Sequence, residues 1–433
     1  MSVPLIISML LVSIYNLADA AWVAGLGSDA LAGVGFVTPL FLILVGLGNG
    51  LGAGATSSIA KYIGQQRKSH ADNGGLHVIF ITIIISLIVT VLLLLILNPL
   101  LSFMGAGSTT SYALDYGNLM FGGAIFFVLP NAMYGILRAE GDVNRTMHAM
   151  AISGVINIII DPIFIYVLDL GVKGAALATL LSSGLVIVII AYWFYVKKDT
   201  YVKPTLSNFH FNREITFDIL KVGIPASLEL LMTAILTAVL STILTTVAST
   251  DAVAVYTTGW RVVSLGTMPI IGISTALVSI VGANFGAKQY ENIKRAHNYS
   301  MKLAFMVALL TGVLIFIFAP QIVMLFSYST GSAHLAGSMI DFLRVMTAYY
   351  LFMAFGAPST FLFQGVGKGL TAMFQTVQRT VIFSIICAYI FAIVMAMGEH
   401  GVWYGIVTGQ AIATIITVIW SKEYVKRLLK RGV

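Results

Sequence analysis

Runs of about 20 consecutive apolar residues recur from one end of this 433-residue chain to the other. Each is long enough to cross a hydrocarbon core of about 30 Å as a helix, and in lipid only helices or closed barrels satisfy every backbone N–H and C=O. Charged residues make up 9% of the chain, against roughly 25% in a soluble domain, so a water-soluble core is excluded. The expected fold class is all-α: a polytopic membrane protein with twelve transmembrane helices in two pseudo-symmetric six-helix lobes. Apolar runs between polar or Gly/Pro breaks start the helices near Ser2, Leu31, Leu76, Tyr112, His148, Gly174, Val222, Ala252, Met301, Ser338, Arg379 and Gly401. This gives an N-terminal lobe over residues 1–196, a cytoplasmic linker over 197–221, a C-terminal lobe over 222–420 and a basic cytoplasmic tail over 421–433.

Placing the N-terminus inside puts the loops around Arg67, Arg145, Lys203, Lys294 and Lys368, and the tail, on the cytoplasmic face. Of the 24 Lys and Arg, only Lys173 then falls outside, while Arg261 and Arg344 fall within helices. That asymmetry orients the chain with both termini in the cytoplasm of the cell (inner) membrane, with Ser332 in an outside loop and Ser207 inside. The net charge of +7 is therefore topological. It favours contact with anionic membrane lipids rather than nucleic acid, since no basic patch alternates with aromatics in a soluble segment. The one cysteine, Cys387, sits in an apolar run and can form neither an intramolecular disulfide nor a thiolate metal site. Met1–Ala24 lacks a basic n-region and carries Asp19 in its last part, so it is read as a retained first helix, not a secretory signal.

The halves repeat. Residues 57–64 (SSIAKYIG) align with 279–286 (SIVGANFG), the same register pairs Asp29 with Asp251 and Gly50 with Gly272, and further on Gly171-Val172 pairs with Gly401-Val402. An even number of helices per half keeps the copies in one orientation, as in rocker-type transporters with a site between two lobes. A channel would more naturally be a ring of subunits; this chain is expected to work as a monomer.

Asp19, Asp161 and Glu229 fall inside helices, where each charge costs about 3 kcal/mol unless paired or hydrated. Asp19 and Asp161 each precede an outside turn by six or seven residues and Thr179 follows one by about six, so at ~1.5 Å per residue all three lie roughly 10 Å below the outer end of helices 1, 5 and 6. Asn157 shares a helix face with Asp161, as Tyr15 does with Asp19. Pro162 cannot donate its backbone hydrogen bond and should bend helix 5 beside Asp161. Two carboxylates, an amide oxygen and a hydroxyl make the all-oxygen set that hard cations prefer. The same pair of acids also suits protons, because two carboxyls in a poorly hydrated site repel when both are ionised.

The chain resembles the multidrug and toxic compound extrusion (MATE) transporters of prokaryotic type. The resemblance rests on Tyr15-Asn16-Leu17-Ala18-Asp19, Gly25-Leu26-Gly27, Ala30-Leu31-Ala32, Gly64-Gln65, Leu137-Arg138-Ala139-Glu140-Gly141-Asp142, Asn157 to Pro162, and Gly171-Val172-Lys173-Gly174-Ala175-Ala176. It implies two six-helix lobes in a V, a cavity opening alternately to either side, small organic and often cationic substrates, and coupling to Na⁺ or H⁺ with no other cofactor. It also implies that the family's N-lobe cation site, a place for Na⁺, falls on Asp19, Asn157, Asp161 and Thr179, with Asn131 joining their network. Glu229, in the seventh helix, is the second candidate, since a helix 7 glutamate carries the cation in some branches. Two other functions compete. A flippase for lipid-linked sugars would need several cavity arginines, and only Arg261 and Arg344 offer themselves. An intramembrane enzyme lacks support: the seven histidines lie in loops or near helix ends and Cys387 has no visible base.

Overall fold

The structure, a computed structural model, describes residues 1–324 and 333–431, so the loop around Ser332 and the last two residues of the tail lie outside the described residues. Its helices are α1 (Ser2–Ala24), α2 (Ser28–Gly64), α3 (Lys68–Phe103), α4 in two pieces (Thr110–Gly122 and Ala124–Ala139), α5 (Val143–Val167), α6 (Val172–Lys197), α7 (Arg213–Val247), α8 (Thr250–Gly286), α9 (Tyr290–Met324), α10 (Ala336–Gly365), α11 (Gly369–Val394) and α12 (Gly398–Arg431). There is no strand among the described residues. Among the described residues eleven helices are each long and apolar enough to cross a membrane, and the α4 pair, bent by 47°, makes a twelfth if it is one span. The bend falls at Gly123, where Leu180 of α6 occupies the space a Cβ would need.

Several helices start earlier than their apolar runs: α3 at Lys68 rather than Leu76, α7 at Arg213 rather than Val222, α9 at Tyr290 rather than Met301 and α11 at Gly369 rather than Arg379. Hydropathy marks where lipid begins, whereas Lys, Arg and Glu are good helix formers that carry the helix on into water. What stops a helix is a cap. Asn212 Oδ1 accepts from the backbone N–H of Glu214 (2.8 Å) and Ile215 (3.3 Å) and so opens α7. Asp142 accepts from Arg145 N–H (3.1 Å) and opens α5.

Packing divides the chain into two compact units, Val3–Leu230 and Leu231–Val433. Unit 1 has its core between α2 and α4, where Leu44, Leu51, Ala55, Phe121, Val128 and Ile136 are fully buried. The first half of α7 belongs to this unit. Gly50 of α2 lies against Gly223 and Ser227, so closely that a Cβ there would strike the α7 backbone. At the basic end of the seam Asp218, 5% exposed, accepts from Lys61 Nζ (2.6 Å), Tyr62 OH (2.9 Å) and Lys221. The segment between α6 and α7 is stapled down as well. Val202 N–H donates to Glu140 (2.7 Å), Asn73 Nδ2 to the His210 carbonyl (2.8 Å), and Asn212 N–H to His77 Nε2 (2.9 Å). Burial pushes the Glu140 carboxyl up to about 7, although the Val202 N–H opposes the shift. Unit 2 is organised around Trp403, fully buried between Tyr256, stacked at 6.1 Å, and Phe342, edge-on at 4.7 Å.

Candidate cation site in the N-terminal unit

The acids found by their depth meet in unit 1. Asp161 is 0% exposed and Asn157 2%. One turn apart on α5, they are joined by Asn157 Nδ2 donating to Asp161 Oδ1 at 3.2 Å. Asp19 reaches across from α1 to interact directly with the Asp161 side chain. Its approach is set near the C-terminal end of both helices, where the Tyr166 hydroxyl donates to the Trp22 carbonyl and Gly25 leaves room for that hydroxyl. The α-helical register of α5 ends at Pro162 and passes into a wider π-helical turn, Ile163–Val167, which carries Tyr166. Proline, having no N–H to donate, stands where the register changes. Deeper in, Gly154 of α5 lies against the Tyr15 ring, within electrostatic reach of Asp19.

Three buried oxygens in this cluster, Asp19 Oδ1, Asn157 Oδ1 and Asp161 Oδ2, have no hydrogen-bond partner among the described residues. A buried acceptor without a donor costs about 1–3 kcal/mol, and here three belong to one cluster. Oxygen acceptors lacking donors fit a hard cation or a proton. The donor set is two carboxylates plus neutral oxygens; among the described residues no three His, Cys, Asp or Glu side chains gather. Thr179 is half-buried on α6; its carbonyl accepts from Ser182 Oγ (3.0 Å), and no hydrogen bond joins its hydroxyl to the acids among the described residues. Asn131 lies in the α2–α4 seam, where its Nδ2 donates to the Phe127 carbonyl (2.9 Å). Glu229 is half-buried on the part of α7 that packs with unit 1.

Two features escaped the sequence reading. Tyr116 of α4, 7% exposed, lies within electrostatic reach of Asp19, Asp161 and Tyr15, but nothing in the sequence distinguishes it among 18 tyrosines. The second concerns the arginines. Arg261 and Arg344, the two that fall within helices by hydropathy, are both exposed, Arg344 with its guanidinium over the Phe316 ring at 5.3 Å. Arg379 is the buried one, 8% exposed in the middle of α11. Gly356 of α10 admits it, since a Cβ there would stand 3.3 Å from Arg379 Nη1 and 2.9 Å from Thr414 Oγ1. Gln375, 0% exposed, shares this interior, and Gln378 Nε2 donates to Thr417 Oγ1 of α12 at 3.1 Å.

Among the described residues, eleven membrane-length helices, twelve with the bent α4 pair, and an acid pair with unpartnered buried oxygens define the class: a multi-pass membrane transporter. The chain belongs to the MatE family, whose model matches residues 4–163 and 225–390. It is similar to multidrug export protein MepA of Staphylococcus saprophyticus subsp. saprophyticus, 26% identical over 428 residues that cover 96% of this chain and 91% of MepA. Among solved structures it is similar to a MATE in complex with MaL6, with TM-score 0.97 and 40% identity over 99% of this chain and 96% of that one. It is also similar to a MOP superfamily transporter from Pyrococcus furiosus, with TM-score 0.96 and 40% identity over 99% and 95%.

Proposed function

We propose that this chain exports small organic, often cationic, compounds in exchange for Na⁺ or H⁺ by alternating access, with Asp19 and Asp161 as the coupling pair. The observation that carries this reading is the set of three buried, donor-free oxygens on Asp19, Asn157 and Asp161. Two carboxylates that interact directly in a poorly hydrated site do not both ionise unless a cation or proton lies between them. Sodium takes such oxygens directly, with the Thr179 hydroxyl the proposed fourth ligand; a proton would bridge the two acids. Only Leu5, Ser8 and Val23 of α1 are buried, so this helix is held weakly elsewhere. Occupancy of the pair draws Asp19 onto α5, and its loss sets two charges against each other on a helix free to yield. Glu229 is the second candidate for the coupling step.

The export function of the MepA relatives supports the substrate class. The Lys and Arg asymmetry supports an inner-membrane protein with both termini cytoplasmic. The test is efflux of a cationic dye from proteoliposomes with Na⁺ and H⁺ gradients imposed separately and no ATP. Efflux should follow one gradient and stop without it. Efflux that ignores both gradients ends the proposal, and movement of lipid-linked sugars in place of organic cations puts the flippase in its stead.

A further inference from the structure

A basic site lies in unit 2, where α9 begins and α12 ends. A cavity of about 370 Å³ opens between them. Lys294 comes from the second turn of α9, and Lys422 and Lys426 stand one turn apart on a single face of α12. All three are exposed. The wall is apolar, made by Val425, 3% exposed, and Leu429. His297 closes the back at 2% exposure, with Nε2 3.0 Å from Ser359 Oγ. That hydroxyl spends its only hydrogen on the Phe355 carbonyl (2.8 Å), so the imidazole Nε2 is the donor and the ring is locked in place. The acidic neighbours are Glu291, paired with Lys294 at 3.5 Å, and Glu423, paired with Arg427 at 3.3 Å, both exposed, where such pairs yield readily to another anion.

We propose that this groove binds the phosphate of an anionic phospholipid, with Lys294, Lys422 and Lys426 around the phosphate and Val425 and Leu429 against the first carbons of its glycerol esters. Three ammonium groups around one cavity repel each other until an anion sits among them. A cavity with room for about a dozen waters holds a glycerophosphate. The apolar wall offers nothing to free phosphate but suits an amphiphile, and the ends of two membrane-crossing helices are where headgroups lie.

The experiment is native mass spectrometry of the full chain in detergent, titrated with phosphatidylglycerol or phosphatidylcholine. Each lysine near a lipid phosphate is worth about fivefold, so three give a preference for phosphatidylglycerol on the order of a hundredfold. Lys294→Gln/Lys422→Gln/Lys426→Gln should erase that preference, while Lys198→Gln/Lys203→Gln/Lys288→Gln, which removes equal charge from other exposed lysines, should keep it. Equal loss in both triple variants, or none in the first, overturns the site. Displacement of the lipid by inorganic phosphate at equal concentration also overturns it, in favour of a soluble anion. The replaced lysines are exposed, so a monodisperse elution profile should confirm that the first triple variant folds.

Discussion

Asp161→Asn separates the chemistry of the acid pair from its contribution to folding. Asparagine keeps the volume and keeps an oxygen to accept from Asn157, 3.2 Å away. The other terminal atom becomes a donor, aimed at the Asp19 carboxylate that now lacks one. The fold loses a charge that costs about 3 kcal/mol in mid-membrane and gains a hydrogen bond of about 1 kcal/mol, so thermal stability should equal or exceed that of the parent. Ion binding should suffer instead. A carboxylate about 4 Å from a cation, at an effective dielectric of about 20, contributes about 4 kcal/mol, roughly a thousandfold in affinity.

Two assays read this out. In detergent, the parent should gain about 2.7 kcal/mol of stability when its coupling ion reaches a hundred times the dissociation constant, and Asp161→Asn should show no gain over the same range. In proteoliposomes, gradient-driven efflux should collapse. Because Asp19 serves the same step, Asp19→Asn should behave alike and the double variant should be little worse than either. Full transport by Asp161→Asn refutes the reasoning, and a dead Glu229→Gln beside a working Asp19→Asn moves the coupling step to Glu229.

Asp218→Ala should lower stability by about 2–3 kcal/mol in thermal unfolding, because it strands Lys61 and Lys221 at a partly buried seam; an unchanged melting point would mean both cations are hydrated without it. Glu140 holds its proton more tightly in the fold than in the unfolded chain. Its contribution is therefore fully present below the ordinary glutamate range and is lost as pH rises through about 7. The parent should melt lower at about pH 8 than at about pH 6, Glu140→Gln should flatten that step, and parallel profiles would refute the assignment. With Cys387 replaced by alanine, a cysteine at Ser108, exposed in the turn before α4, should react with an impermeant reagent from outside, and one at Ser207 should not; the opposite pattern inverts the orientation.

The acid pair was legible because lipid makes charge conspicuous. Asp19 and Asp161 interrupt apolar runs at matching depths, and the helical repeat alone puts Asn157 beside Asp161. Pro162 announced the irregular turn that follows, though not that the turn would be π-helical and bring Tyr166 onto Trp22. Partners without charge stayed hidden. Tyr116 reaches the acids by the packing of α4 in unit 1, and an aromatic in a membrane span reads the same whether it faces lipid or a carboxylate.

Arg379 shows why hydropathy misplaces a charge that faces protein. Arg379 to Met397 is long enough to span about 28 Å, so length did not call for any helix upstream. The residues upstream, with Gln375, Thr376 and Gln378, read as a polar loop. A hydropathy scale measures transfer from water to lipid, and these side chains go to neither: all three are buried inside unit 2. Their helix therefore begins at Gly369 and carries Arg379 well inside its length, against α10 and α12, rather than at its start. Glycine at 356, opposite the guanidinium, is the complementary signal, but a missing side chain has meaning only once its neighbour is known. A buried charge can be found from sequence when lipid would otherwise surround it; one that polar neighbours have already enclosed cannot.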